Sequence, residues 1–122
     1  MVWYPSVDDV VCTNINVLDI TRDKHSSKVI MSLEGIQTII DKVKKEEKKG
    51  LLYQTTFLMK ELVCYHAFAS GNHRTAYIVG KTFLYMNGRK FKRNNLEKAY
   101  PFIKDIEHRS IQEIERWIKH GI

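Results

Sequence analysis

The chain is poor in the residues that staple or interrupt a fold. Its two cysteines, Cys12 and Cys64, in 122 residues are too few for a disulfide framework or a zinc site. Both lie in apolar stretches, which predicts buried thiols. With only two prolines and 43% hydrophobic residues, the composition is not that of a disordered chain. No apolar run approaches the roughly 20 residues needed to cross a bilayer. The opening MVWYPSVDD has neither the basic n-region nor the apolar h-region of a secretory signal. These absences predict a cytoplasmic protein with no membrane partner.

What is present fits a folded domain. The length suits a single domain spanning residues 1–122, able to bury roughly two-thirds of the surface its unfolded form exposes. Twenty Lys and Arg against 14 Asp and Glu give a formal charge of +6. Such a balance suits an anionic partner: a nucleotide, an acidic protein face or nucleic acid.

Hydrophobic spacing predicts an all-α protein of five to six helices. Ser6 with Asp9 is a capping box that opens the first helix, and Val7, Val10, Val11 and Leu18 mark its apolar face. The charged stretch Thr21–Ser27 reads as a loop. Lys28–Met31 is short and β-branched, an extended segment or one arm of a small hairpin. A second helix opens near Ser32 with Leu33, Ile36, Ile40 and Val43 on one side, and runs into KKEEKKG, where Gly50 is a natural stop. Leu52, Thr55, Met59, Leu62 and His66 form the stripe of a third helix, which places His66 at the end of a core-facing row. A fourth runs from Asn72 to Asn87 with Ala76, Val79, Phe83 and Met86 on one face, and Gly88 ends it. After the basic loop Arg89-Lys90-Phe91-Lys92-Arg93, a short helix carries Leu96 and Tyr100 before Pro101. Ser110 and Glu113 box the start of the last helix, whose apolar face is Ile111, Ile114, Trp117 and Ile118.

Between the third and fourth helices stands HAFASGNHRT, residues 66–75. One helix delivers His66, Gly71 permits a tight turn, and a new helix begins at once. Its first backbone N–H groups lack intrahelical partners and favour an anion. Asn72 adds a side-chain donor, and Arg74 can fork two donors onto phosphate oxygens. A base beside an anion cradle is the minimum equipment for moving a phosphoryl or nucleotidyl group. Each part alone has a plainer reading: a core histidine, a Gly-Asn turn, a surface arginine. A metal site on His66 and His73 lacks a third ligand at a usual spacing.

The whole string resembles the signature of the Fic/Doc (Fido) family, H-x-F-x-[D/E/N]-[G/A]-N-x-R, at His66, Phe68, Gly71, Asn72 and Arg74. The segments YPSVDDV, LLYQTTFLMKELVCYHAF, RTAYIVGKTFLYMNG and SIQEIERWI are similar to those of compact Doc-type (death-on-curing) members. The resemblance implies a compact helical Fido fold. It also implies a transferase that moves a phosphoryl or AMP group from ATP or another nucleoside triphosphate to a Ser, Thr or Tyr hydroxyl of a target protein. In that reading His66 is the general base. Gly71, Asn72, His73 and Arg74 bind the phosphates, Phe68 is structural, and Lys28–Met31 is the flap that aligns the target.

Three departures bear on activity. Ser70 stands where active members usually carry Asp, Glu or Asn; an acid there helps hold Mg²⁺, and a hydroxyl is a poor substitute for a carboxylate. His73 replaces a Gly or Lys. Tyr77 stands where AMP-transferring members place a second arginine, which favours the Doc side, where the terminal phosphoryl group moves. No (S/T)-x-x-x-E-(G/N) inhibitory motif occurs in these residues, so restraint by a separate antitoxin protein is the expectation, as for the toxin of a toxin–antitoxin pair. The alternatives are a catalytically degenerate Fido fold that binds a nucleotide or partner, and a small nucleic-acid-binding domain using Arg89, Lys90, Lys92 and Arg93. The latter has no accompanying nucleic-acid-binding signature.

Overall fold

A computed structural model describes residues 1–21, 28–91 and 95–120. The expected loop beyond Thr21, and Lys92 and Arg93 of the basic patch, lie outside the described residues. The described chain is all-helical, with α1 (Val7–Ile20), α2 (Leu33–Lys45), α3 (Leu51–Tyr65), α4 (Asn72–Met86), α5 (Leu96–Ile103) and α6 (Ile111–His120). Short 3₁₀ turns at Glu47–Lys49 and Ile106–His108 precede α3 and α6.

The helix starts follow their local chemistry. Asp9 N–H donates to Ser6 Oγ at 3.1 Å while Ser6 N–H donates to the Asp9 carboxylate at 2.8 Å. The same reciprocal pair recurs at Ser110 and Glu113, at 3.0 and 3.1 Å. Each box satisfies two backbone N–H groups that the helix itself cannot. Ser32 caps α2 through Gly35 N–H, and Asn95 caps α5 through the N–H groups of Glu97 and Lys98.

The antiparallel pair α3 and α4 forms the centre, with α1, α5 and α6 laid against it and α2 covering α3. Leu58, Met59, Phe83, Leu84, Ile114 and Trp117 belong to one continuous apolar cluster with Ile36, Ile40 and Val43 of α2. Each fully buried side chain of this size stabilises the fold by roughly 1.5–3 kcal/mol. Gly80 lets α3 and α4 approach closely, because a Cβ there would lie 2.7 Å from Cγ and Sδ of Met59.

Several expectations are corrected. The buried row of α1 is Val10, Asn14, Val17 and Leu18, with Val7 and Val11 only half-buried. Leu33 and Met86, the first residue of α2 and the last of α4, are exposed. Cys12 and Cys64 are both exposed, since each falls on the outer side of a helix whose opposite side packs. Pro101 does not end α5. The helix continues to Ile103, which is fully buried, and to Phe102, which stacks on Trp117 at 4.3 Å between ring centroids. That packing offsets the hydrogen bond a proline cannot donate. Gly50, at φ 92°, closes the 3₁₀ turn rather than α2 and then serves as the start of α3.

Candidate active site

The site lies where α3 hands over to α4. His66 is the residue after α3, and its backbone is left-handed at φ 55° and ψ 53°. That turn takes its side chain off the track of the α3 stripe. His66 is therefore exposed and not a core-facing residue as the spacing of the stripe predicts. A left-handed conformation in a non-glycine residue carries a strain cost of order 1–3 kcal/mol, held only because the surroundings fix it. Gly71, also left-handed at φ 77°, closes the turn and opens α4.

The four residues between these two are all tied through their backbones. Ala67 C=O accepts from Ile30 and Met31 N–H at 2.8 and 3.3 Å, and Ala69 N–H donates to Lys28 C=O at 2.9 Å. Lys28–Ile30 thus lies antiparallel to the turn, with one β-bridge between Val29 and Phe68. The extended segment expected here exists, and its strand partner is the motif itself. Phe68 is 2% exposed and anchors the turn in the core. Ser70 C=O accepts from Asn14 Nδ2 at 2.9 Å, and the same amide nitrogen donates to Thr75 Oγ at 3.1 Å.

Asn72 is 5% exposed, and its side chain holds the turn closed. Its Oδ1 accepts from Phe68 N–H at 3.1 Å and its Nδ2 donates to Phe68 C=O at 2.8 Å. Nδ2 also lies 3.5 Å from His66 Nε2. An amide nitrogen can only donate, so a hydrogen bond at this contact would take Nε2 as the acceptor. The sequence reading makes Asn72 a phosphate donor; in the fold its amide is committed to the turn and to His66.

His73 and Arg74 leave the first turn of α4 in different directions. His73 Nε2 lies 3.0 and 3.1 Å from the two carboxylate oxygens of Glu107. The Arg74 guanidinium lies over the Tyr100 ring, 4.0 Å from its centroid. Stacking leaves the edge of a guanidinium free for in-plane donation. Arg74 and Tyr100 help line an open cleft of about 740 Å³ with Ile20, Leu96 and Glu97. Tyr77, one turn further along α4, is fully buried, edge-on to Phe91 at 5.4 Å between ring centroids. Burial pushes its phenol above the ordinary range. No charged group therefore issues from that position.

A family model for the Fic/DOC family matches residues 16–84. That span covers more than half of the chain and contains the whole turn. The chain belongs to the Fic/DOC family. No curated protein and no solved structure gives a match.

Family membership raises the question of Mg²⁺. Among the described residues, no three His, Cys, Asp or Glu side chains are grouped to hold a metal ion. At Ser70 the side chain offers a neutral hydroxyl, and its carbonyl already accepts from Asn14. Mg²⁺ is normally bound through one or two carboxylates together with substrate phosphates. At this position the turn supplies no carboxylate.

Sequence reading missed three residues of the site. Asn14 carried a signal, a polar residue four places from Val10 in an otherwise apolar row. Glu107 and Tyr100 carried none, because only the tertiary fold brings the segment after α4 back to its first turn.

Proposed function

We propose that this protein is a Fic/Doc-type transferase that moves a phosphoryl group from a nucleoside triphosphate to a hydroxyl of a target protein. The observation that carries the reading is the disposition of His66, exposed, with Nε2 3.5 Å from the Asn72 amide nitrogen, at the edge of a helix start that no side chain caps among the described residues. The target hydroxyl gives its proton to His66 as its oxygen bonds to phosphorus. The bond from phosphorus to the nucleoside diphosphate breaks on the far side, and the diphosphate leaves with the bonding pair. N–H groups of the first turn of α4 and the Arg74 guanidinium stabilise the charge on the phosphates. Mg²⁺, if it accompanies the triphosphate, would neutralise part of the phosphate charge, with Ser70 offering only a neutral oxygen to it. Transfer of the terminal group rather than AMP is favoured by Tyr77, which puts a buried ring where AMP-transferring members carry a second arginine. The protein so described acts as the toxin of a pair whose antitoxin is a separate chain.

Ser70 favours a second reading, a nucleotide- or partner-binding module without turnover. Parallel incubation of the protein and a cell extract with α-labelled and γ-labelled ATP separates the possibilities. Label on a protein from the γ position alone is the expected result. Label from the α position would make it an AMP transferase, and label from neither would leave the binding module.

A further inference from the structure

His73 and Glu107 are 34 residues apart in sequence, yet the imidazole Nε2 sits almost equidistant from both carboxylate oxygens, at 3.0 and 3.1 Å. Both side chains are 27% exposed, too accessible for a purely internal tie and too covered to be loose surface groups. Glu107 is placed firmly. It belongs to the 3₁₀ turn Ile106–His108, anchored by Ile106 at 1% exposure. The next residue, Arg109, stacks on Phe102 at 4.1 Å, and its carbonyl accepts from Lys60 Nζ at 2.6 Å. His73 is the second residue of α4, inside the turn whose N–H groups favour an anion.

We propose that Glu107 is a positioning residue for the phosphate cradle, acting through His73; this rests on the reading that the first turn of α4 binds a nucleotide. A carboxylate can only accept from Nε2, so Nε2 must carry a proton. Nδ1 is then the ring nitrogen left for a ligand. A phosphate oxygen accepts only from N–H, so contact with Nδ1 requires the doubly protonated ring. Glu107 balances that charge from behind and fixes the plane of the ring, as carboxylates do for functional histidines elsewhere. The pair presents the cradle with an oriented donor where the Ser70 hydroxyl contributes no charge.

The alternative role for the pair is a plain tether between α4 and the turn before α6, and reversal of the pair distinguishes the two. The measurements are binding of the non-hydrolysable β,γ-imido analogue of ATP by calorimetry, thermal melting, and ring-nitrogen NMR of His73. His73→Gln is expected to weaken the analogue about tenfold or more, the loss of one charge-assisted hydrogen bond. Glu107→Gln is expected to weaken it less, because an amide oxygen still accepts from Nε2 without balancing the ring's charge. The double variant His73→Glu with Glu107→His rebuilds the tether but turns a carboxylate toward the phosphates. It is expected to recover the melting temperature of the wild type and not its affinity. Recovery of both would reduce the pair to a tether, and wild-type affinity in His73→Gln would remove His73 from the cradle. An unprotonated Nε2 in the free wild-type protein would overturn the proposal even if every variant failed to fold. Wild-type protein that does not bind the analogue would sink the nucleotide reading itself, and the role of Glu107 with it.

Discussion

Asn14 and Ser70 are 56 residues apart in sequence and 2.9 Å apart across the contact between α1 and the turn that joins α3 to α4. The Asn14 side chain is fully buried and also donates to Thr75 Oγ. Asn14→Ala would leave the Ser70 carbonyl without this donor and open a small void. A loss of about 1–3 kcal/mol is expected, the cost of an unsatisfied buried polar group. Urea unfolding of the two proteins measures it, and Asn14→Asp, which cannot donate to the carbonyl when ionised, should be no better than the alanine.

His66 is exposed, so its role in chemistry separates cleanly from any role in stability. His66→Gln should lower the rate of target labelling by roughly 10²–10⁴-fold, the usual worth of a general base. Melting temperature and affinity for the ATP analogue should hardly change. Undiminished labelling by the variant would take His66 out of the mechanism.

Arg74 stacks on Tyr100 at the wall of the cleft. Arg74→Ala should weaken triphosphate binding by about 1.5–3 kcal/mol, the range for a hydrogen bond to a charged group. Arg74→Lys should recover only part of this, since an ammonium offers no planar fork. Calorimetry on the folded variants decides, and equal affinity in all three proteins would place the nucleotide elsewhere.

Gly80 sits against Met59, itself fully buried between α3 and α4. Gly80→Ala would raise helix propensity by about 1 kcal/mol, yet the new methyl would need the space Met59 fills. Overpacking of this kind costs about 1–3 kcal/mol. Net destabilisation is expected in thermal melting, and a second change, Met59→Ala, should relieve part of it. A more stable Gly80→Ala protein would show that Met59 yields without cost.

Ser70 offers Mg²⁺ a neutral oxygen where a carboxylate would be stronger. Ser70→Asp is expected to raise Mg²⁺-dependent transfer and tighten apparent metal affinity. The gain should vanish when His66→Gln is added, because both residues then serve one reaction. If metal affinity and rate both stay as in the wild type, Ser70 is not what limits the protein, and the binding-module reading loses its main support.

Local signals carried the helices and the core of the turn into the sequence. Ser6 with Asp9 and Ser110 with Glu113 are read from four-residue windows, and both form as written. The string from His66 to Arg74 identified the turn because its chemistry is consecutive in the chain. The exposure of His66 was not legible, since a periodic stripe assumes that the helix continues and the left-handed residue ends it. Pro101 misled for the opposite reason, because packing of Phe102 and Ile103 outweighs one missing hydrogen bond. The partners Glu107, Tyr100 and Asn14 come from distant segments, and no local pattern ties any of them to the turn.

Every residue from Ala67 to Ser70 already spends a backbone group on a partner: Ile30 and Met31, Asn72, Lys28, and Asn14. Such a turn is pre-organised. An anion bound there, as proposed, would meet a finished surface, so little conformational freedom would remain to be lost at the moment of binding. On the proposed function, discrimination between ligands would fall to side chains that flank it, His66, His73 and Arg74. Association should accordingly be governed by encounter with a basic protein, fast at low ionic strength and slowed by salt, rather than by a rearrangement of the loop.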